Sequence, residues 1–119
     1  MHAKLRLQVI ERRKMNEFKF FGKALQKPQL LESDKGYKYC NIVMEVDRGY
    51  KNGDGEACLD DFKITCFKNL AEEVCQKIEK GRSFIIKGRL QQNNFDKDNG
   101  EKIYRPELIG EKIYYTEQS

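Results

Sequence analysis

The chain has 119 residues, 35% of them charged and 39% hydrophobic, with four cysteines, one histidine and no tryptophan. That describes one small domain able to fold without a metal or disulfides, and no apolar run approaches the ~18 residues of a membrane span. The net charge of +4 comes entirely from residues 1–14, where Lys4, Arg6, Arg12, Arg13 and Lys14 stand against Glu11, so any nucleic-acid binding by the remainder depends on where its charges point.

Residues 1–14 alternate over "KLRLQV" and then turn basic at "ERRK". They read as a basic N-terminal extension, either an extra strand or a solvated lead-in. They lack the apolar core of a signal peptide, and a cytoplasmic protein is expected. Residues 15–116 read as one domain. "EFKFFGKAL" is a first strand with Phe18 and Phe20 on one face and Lys19, Phe21 and Lys23 on the other; Gly22 marks a bulge or bend. "QKPQLLESDKG" is a loop by its proline, aspartate and glycine. "YKYCNIVMEVDR" is a second strand with Cys40, Ile42, Met44 and Val46 inward, followed by a mobile loop, "GYKNGDGEAC", that exposes Tyr50.

"DDFKITCF" is the third strand. Phe62 and Phe67 are five residues apart and so face opposite sides. Phe62 goes inward with Ile64 and Cys66, while Lys63, Thr65 and Phe67 face out. "NLAEEVCQKIEKG" is the one convincing helix, with Asn69 as N-cap in a capping box with Glu72. Its apolar stripe is Leu70, Val74, Cys75 and Ile78, and Gly81 closes it as the C′ residue. "RSFIIKGRLQQNNF" is a long fourth strand with Phe84, Ile86, Gly88 and Leu90 inward. "DKDNGE" is a hairpin turn, and "KIYRPELIGEKIYY" is a fifth strand with Pro106 at an edge, bulge or bend. The order β-β-β-α-β-β predicts an all-β fold: a five-stranded OB-fold, a Greek-key barrel with one helix between strands three and four.

The outward faces carry the chemistry. The fourth strand presents Lys87, Arg89, Gln91, Asn93 and Phe95. Cations neutralise phosphates, amides bond bases or sugars, and a ring stacks on any base. One such strand is equally a solvated face. The third strand repeats the mixture with Lys63 and Phe67, and Tyr50 adds another ring, which favours nucleic-acid binding. No enzyme site competes: His2, the single histidine, lies near the terminus, and no phosphate-binding glycine loop occurs. Cys40, Cys58, Cys66 and Cys75 form no CxxC pair, so no metal site and no cofactor are expected, and Cys66 and Cys75 read as small core residues.

The chain resembles the bacterial single-stranded DNA-binding protein family over about residues 15–116. "MNEFKFFGKAL" and "QKP" resemble its opening strand and loop, and "NIVMEVDRGYKNGDGE" resembles its second strand and long hairpin. "CFKNLAEEV" resembles the aromatic-Gly-Lys-x-Ala-Glu entry to the helix, and "KGRSFIIKGRLQQNNFDKDNGEKIY" resembles its fourth strand and hairpin. The resemblance implies that Tyr50, Phe67 and Phe95 stack on bases, with Lys63, Lys87 and Arg89 as the nearby basic positions. It implies sequence-independent coating of single-stranded DNA in replication, recombination or repair, and a homotetramer built partly through first-strand pairing. A dimeric primosome-type or plasmid-borne relative is the alternative, as is an OB domain that binds a protein partner. Three departures stand out. Six residues before Phe67, where a further stacking aromatic is expected, stands Asp61, so either the strand is one residue short or that platform is lost; the extension 1–14 is atypical, and the end "YYTEQS" lacks an acidic tail for recruiting partners.

Overall fold

Each long strand has one apolar face, and closing the strands into a barrel buries those faces against one another. The computed structural model describes residues 15–116. The basic extension 1–14 and the short end 117–119 lie outside the described residues. In chain order the elements are β1 (Phe18–Ala24), β2 (Leu31–Glu32), β3 (Lys38–Lys51), β4 (Ala57–Phe67), α1 (Lys68–Lys77), β5 (Ser83–Gln92), β6 (Phe95–Asp96), β7 (Lys102–Ile103) and β8 (Pro106–Tyr115).

The five long strands close in the order β1-β5-β8-β4-β3-β1. Pairing is antiparallel except between β4 and β8, which run parallel at Ile64↔Leu108 and Thr65↔Ile109. With one helix between β4 and β5, this is the OB barrel that the sequence predicts. Just after Gly22, β1 gains a second partner strand. From Phe18 to Lys23 the strand pairs with β5, and at Lys23 and Ala24 it also pairs with β3. A Cβ at Gly22 would collide with the carbonyl oxygen of Glu45, and one at Gly88 with that of Ile109. Glycine is needed where backbones approach so closely. Among the described residues, β1 from Phe18 to Gly22 has a strand on one side only.

The core follows the alternation. Phe18, Cys40, Ile42, Met44, Ile64, Cys66, Phe84 and Ile86 are buried, and α1 and the residue after it add Ala71, Val74 and Ile78. Phe62 packs against this core and stacks on Phe20 with ring centroids 4.5 Å apart. Cys75 is partly buried against the same cluster.

Several local expectations are corrected. Asn69 is not the N-cap: Phe67 holds that position without a side-chain cap, because β4 runs straight into the helix. The reversal falls on Lys68, at φ 56°, a left-handed conformation that costs a non-glycine residue roughly 1–2 kcal/mol. Gly81 is not the C′ residue, since the helix ends at Ile78 in an extended conformation. Gly81 instead sits at φ 87° in the next turn, where the Arg82 amide donates to the Glu79 carbonyl. Leu90, expected inward, is 41% exposed; it lies beyond the β1–β5 ladder, which stops at Phe18 opposite Gly88. The segment after Arg48 is not a loop: β3 and β4 extend as a two-stranded arm with an irregularity between Asp47 and Lys51. Leu31 and Glu32, read as loop, form β2 against β3.

The fourth strand ends at Gln92, opposite Pro106, which has no amide hydrogen with which to continue the ladder. Phe95 therefore lies on a separate ribbon, β6–β7, closed by the Asn-Gly turn.

Candidate nucleic-acid interface

Outward-facing residues of β3 and β4 meet by cross-strand register. Tyr39 lies opposite Phe67, Asn41 opposite Thr65 and Val43 opposite Lys63. The Tyr39 and Phe67 rings are 6.4 Å apart and tilted by 39°, and Phe67 is 42% exposed. The Thr65 hydroxyl and the Asn41 amide oxygen are hydrogen-bonded at 2.9 Å. Tyr39, Asn41, Thr65 and Phe67 line an open groove of about 490 Å³ together with Lys63, Glu107, Glu32 at the end of β2 and the turn residues Ser33 and Asp34. The groove floor offers rings, amides and the Lys63 ammonium, while Glu32, Asp34 and Glu107 make its rim acidic, which leaves Lys63 as the one cation among the lining residues.

The other predicted residues spread outward from this groove. Gln91 pairs with Glu107 in the β5–β8 ladder, and the Asn93 amide donates to the Glu107 carboxylate at 2.9 Å. Both therefore sit at the groove edge. Arg89 lies one step further round the barrel, donating to Gln91 at 3.1 Å and pairing with Glu111 at 3.2 Å. Lys87 is further still. It stands between Lys19 on β1 and Lys112 on β8, with Glu17 at 3.5 Å. Like charges directly opposite one another repel, so this row presents positive charge that a phosphodiester would relieve.

Tyr50 and Phe95 are carried on the two projecting arms. Tyr50 is 58% exposed on the β3–β4 arm, where Arg48 donates to its hydroxyl at 3.3 Å. Arg48 also makes a two-pronged pair with Asp60, with both N···O distances 2.8 Å. That hydrogen-bonded pair raises the Arg48 pKa and holds the Asp60 carboxyl below its ordinary value. Phe95 is 44% exposed on β6, with the Arg105 guanidinium 4.9 Å from its ring centroid. Each of these two rings thus has a cation beside it, the combination that suits a base together with its phosphate. The structure brings Lys63 and Phe67 into one groove with Gln91 and Asn93 at its rim, and places Tyr50, Phe95, Arg89 and Lys87 on neighbouring surfaces.

A model of the single-strand binding protein family matches residues 15–116. The chain belongs to this family. The match spans the whole described barrel and both arms. Similar relatives include single-stranded DNA-binding protein 3 of Listeria innocua, 27% identical over 87% of this chain and 64% of that protein. Single-stranded DNA-binding protein 1 of Staphylococcus aureus is 29% identical over 87% of the chain and 66% of its own length. Single-stranded DNA-binding protein 1 of Clostridium acetobutylicum is 28% identical over 87% of the chain and 94% of its own length. The chain thus spans just under two thirds of the length of the first two.

Family membership gives the groove its interest, and sequence reasoning missed part of it. Tyr39 and Asn41 were legible as outward positions by their alternation with Cys40 and Ile42, but nothing local tied them to Phe67. Glu107 gave no signal, because its place at the groove depends on the parallel β4–β8 contact. Among the described residues, no cluster of three or more His, Cys, Asp or Glu side chains is placed to hold a metal ion, and no helix is long and apolar enough to cross a membrane.

Proposed function

We propose that the chain is a cytoplasmic, non-enzymatic protein that binds single-stranded DNA with little sequence preference. It would thereby protect single strands exposed in replication, recombination or repair. The observation that carries this reading is the groove of Tyr39, Asn41, Lys63, Thr65 and Phe67 on the outer wall of a family barrel. Bases stack on Phe67, Tyr50 and Phe95, an interaction worth ~1–3 kcal/mol per base. Lys63, Lys87 and Arg89 neutralise phosphates, and Gln91 and Asn93 bond bases or sugars at the rim. No cofactor takes part. Duplex DNA fits poorly, because its bases are stacked on each other and their faces are closed to the rings.

We also infer that the chain self-associates, with a homotetramer as the state and a dimer as the alternative. The one-sided edge of β1 from Phe18 to Gly22 supports this, since an unpaired strand edge is a template for a second copy. The mass of the protein in solution decides between the two states.

The binding test is a titration of a labelled oligo-dT strand with duplex competitor at two salt concentrations. Preference for the single strand, weakened by salt through counterion release, is expected. No binding at low salt, or equal binding of duplex, overturns the reading and favours a protein partner for the same face.

A further inference from the structure

Lys68 is the one non-glycine residue with positive φ among the described residues, at 56°. Glycine would occupy that conformation without strain. A strained side chain held in place points to a use for that side chain. The Lys68 ammonium lies 5.3 Å from the ring centroid of Tyr37, so the strained turn after Phe67 delivers a cation to an aromatic ring.

That ring belongs to a short row. Tyr37 precedes Tyr39 by two residues on the β3 side of the groove, and Tyr39 lies opposite Phe67. Tyr37 is 52% exposed. Its backbone is fixed on both sides, with its amide donating to the Ser33 hydroxyl at 3.0 Å and its carbonyl accepting from the Ser33 amide at 2.8 Å. The backbone that carries the ring is therefore held in place. Beyond Tyr39 and Phe67 the groove lining continues to Glu32, Ser33 and Asp34, and Ser33 is the residue to which the Tyr37 backbone is bonded.

We propose that Tyr37, Tyr39 and Lys68 form an added nucleotide subsite, in which a single strand leaving the groove at Phe67 stacks a further base on the tyrosines while Lys68 holds the adjoining phosphate. This rests on the single-strand reading above and extends the path from the groove residue Tyr39 to Tyr37 and Lys68, which lie outside that groove. The subsite also supplies a stacking surface in a barrel where Asp61 offers none on β4.

The test compares wild type, Phe67→Ala, Tyr37→Ala, Lys68→Gly and Lys80→Gln on one labelled oligo-dT strand over a salt series, with thermal melting of each. Lys68→Gly is the informative variant, because strain and function predict opposite signs. Removing the left-handed strain keeps or raises the melting temperature. Losing the cation weakens binding severalfold and flattens the plot of log affinity against log salt by about 0.7 for one lost phosphate contact. Tyr37→Ala is expected to lose about tenfold in affinity, and Lys80→Gln, an exposed lysine outside the path, to bind as wild type. If wild type binds and Phe67→Ala weakens it, while Tyr37→Ala and Lys68→Gly keep wild-type affinity and slope, the added subsite alone is overturned. If wild type does not bind the single strand at all, both readings fall.

Discussion

Replacing Phe67 with alanine separates a binding ring from a structural one, because Phe62 on the same strand provides the opposite case. Phe67 is 42% exposed and its described ring contact is with Tyr39 at 6.4 Å. A half-exposed ring with one loose partner forfeits little on truncation: ~1 kcal/mol of stability, from a weak aromatic pair and partial burial. Its loss in binding is larger, since a stacked base contributes ~1–3 kcal/mol, or about 5- to 150-fold in affinity. Phe62 reverses the pattern. It stacks on Phe20 at 4.5 Å and packs on the core, so truncation to alanine costs about 3 kcal/mol of stability. Phe62→Leu keeps most of the volume and is expected to lose about 1 kcal/mol while binding as wild type. Urea unfolding and anisotropy titration with oligo-dT, run on both variants, give the two numbers. Wild-type affinity in Phe67→Ala, or a binding defect in folded Phe62→Leu, refutes the assignment of faces.

Gly88→Ala is expected to destabilise by several kcal/mol or to prevent folding, because its Cβ would strike the Ile109 carbonyl and lie 2.9 Å from the Phe18 ring; a near-wild-type melting temperature would contradict the close approach. The Arg48–Asp60 pair depresses the Asp60 pKa below 3.8, mainly by hydrogen bonding. A lowered folded-state value means that its support of the β3–β4 arm is full above pH ~4 and fades as pH falls through the lower value. Tyr50 resonances should therefore shift below pH ~4 in wild type and not in Asp60→Asn, and identical titrations would refute the linkage. Burial pushes the Cys75 thiol up to about 11, and hydrogen bonding with Cys66 and burial push Cys40 up as well. Since the thiolate is the reactive form, iodoacetamide at pH 8 is expected to label half-buried Cys58 first and Cys40 only on unfolding; equal rates would overturn this.

The long strands were legible because period two survives in β1, β3, β4 and β5, each of which has one side in the core. The opposite placements of Phe62 and Phe67 follow from that period alone. What stayed hidden depends on contacts between distant segments. The arm after Arg48 is rich in glycine and charge, as loops are, yet strand pairing with residues 57–59 holds it extended. β2 has two exposed residues and no pattern to read, and exists only because β3 offers a partner. The helix start was misplaced because a strand running directly into a helix needs no polar cap, and the left-handed turn at Lys68 leaves no glycine to mark it. Phe95 kept its exposure but not its strand, since the break opposite Pro106 acts across the hairpin. For the site, sequence supplied the rings and cations, but the convergence of Tyr39, Asn41 and Glu107 on Phe67 required the closed barrel.

Photo-cross-linking a bromodeoxyuridine-substituted single strand to the full chain, with the attached residues mapped by mass spectrometry, tests most directly where the strand runs. Cross-links at Phe67 and Tyr39 in the groove, and at Tyr50 and Phe95 on the arms, are the expected result. Cross-links confined to the β1 edge, or none at saturating strand, would contradict single-strand binding on this face.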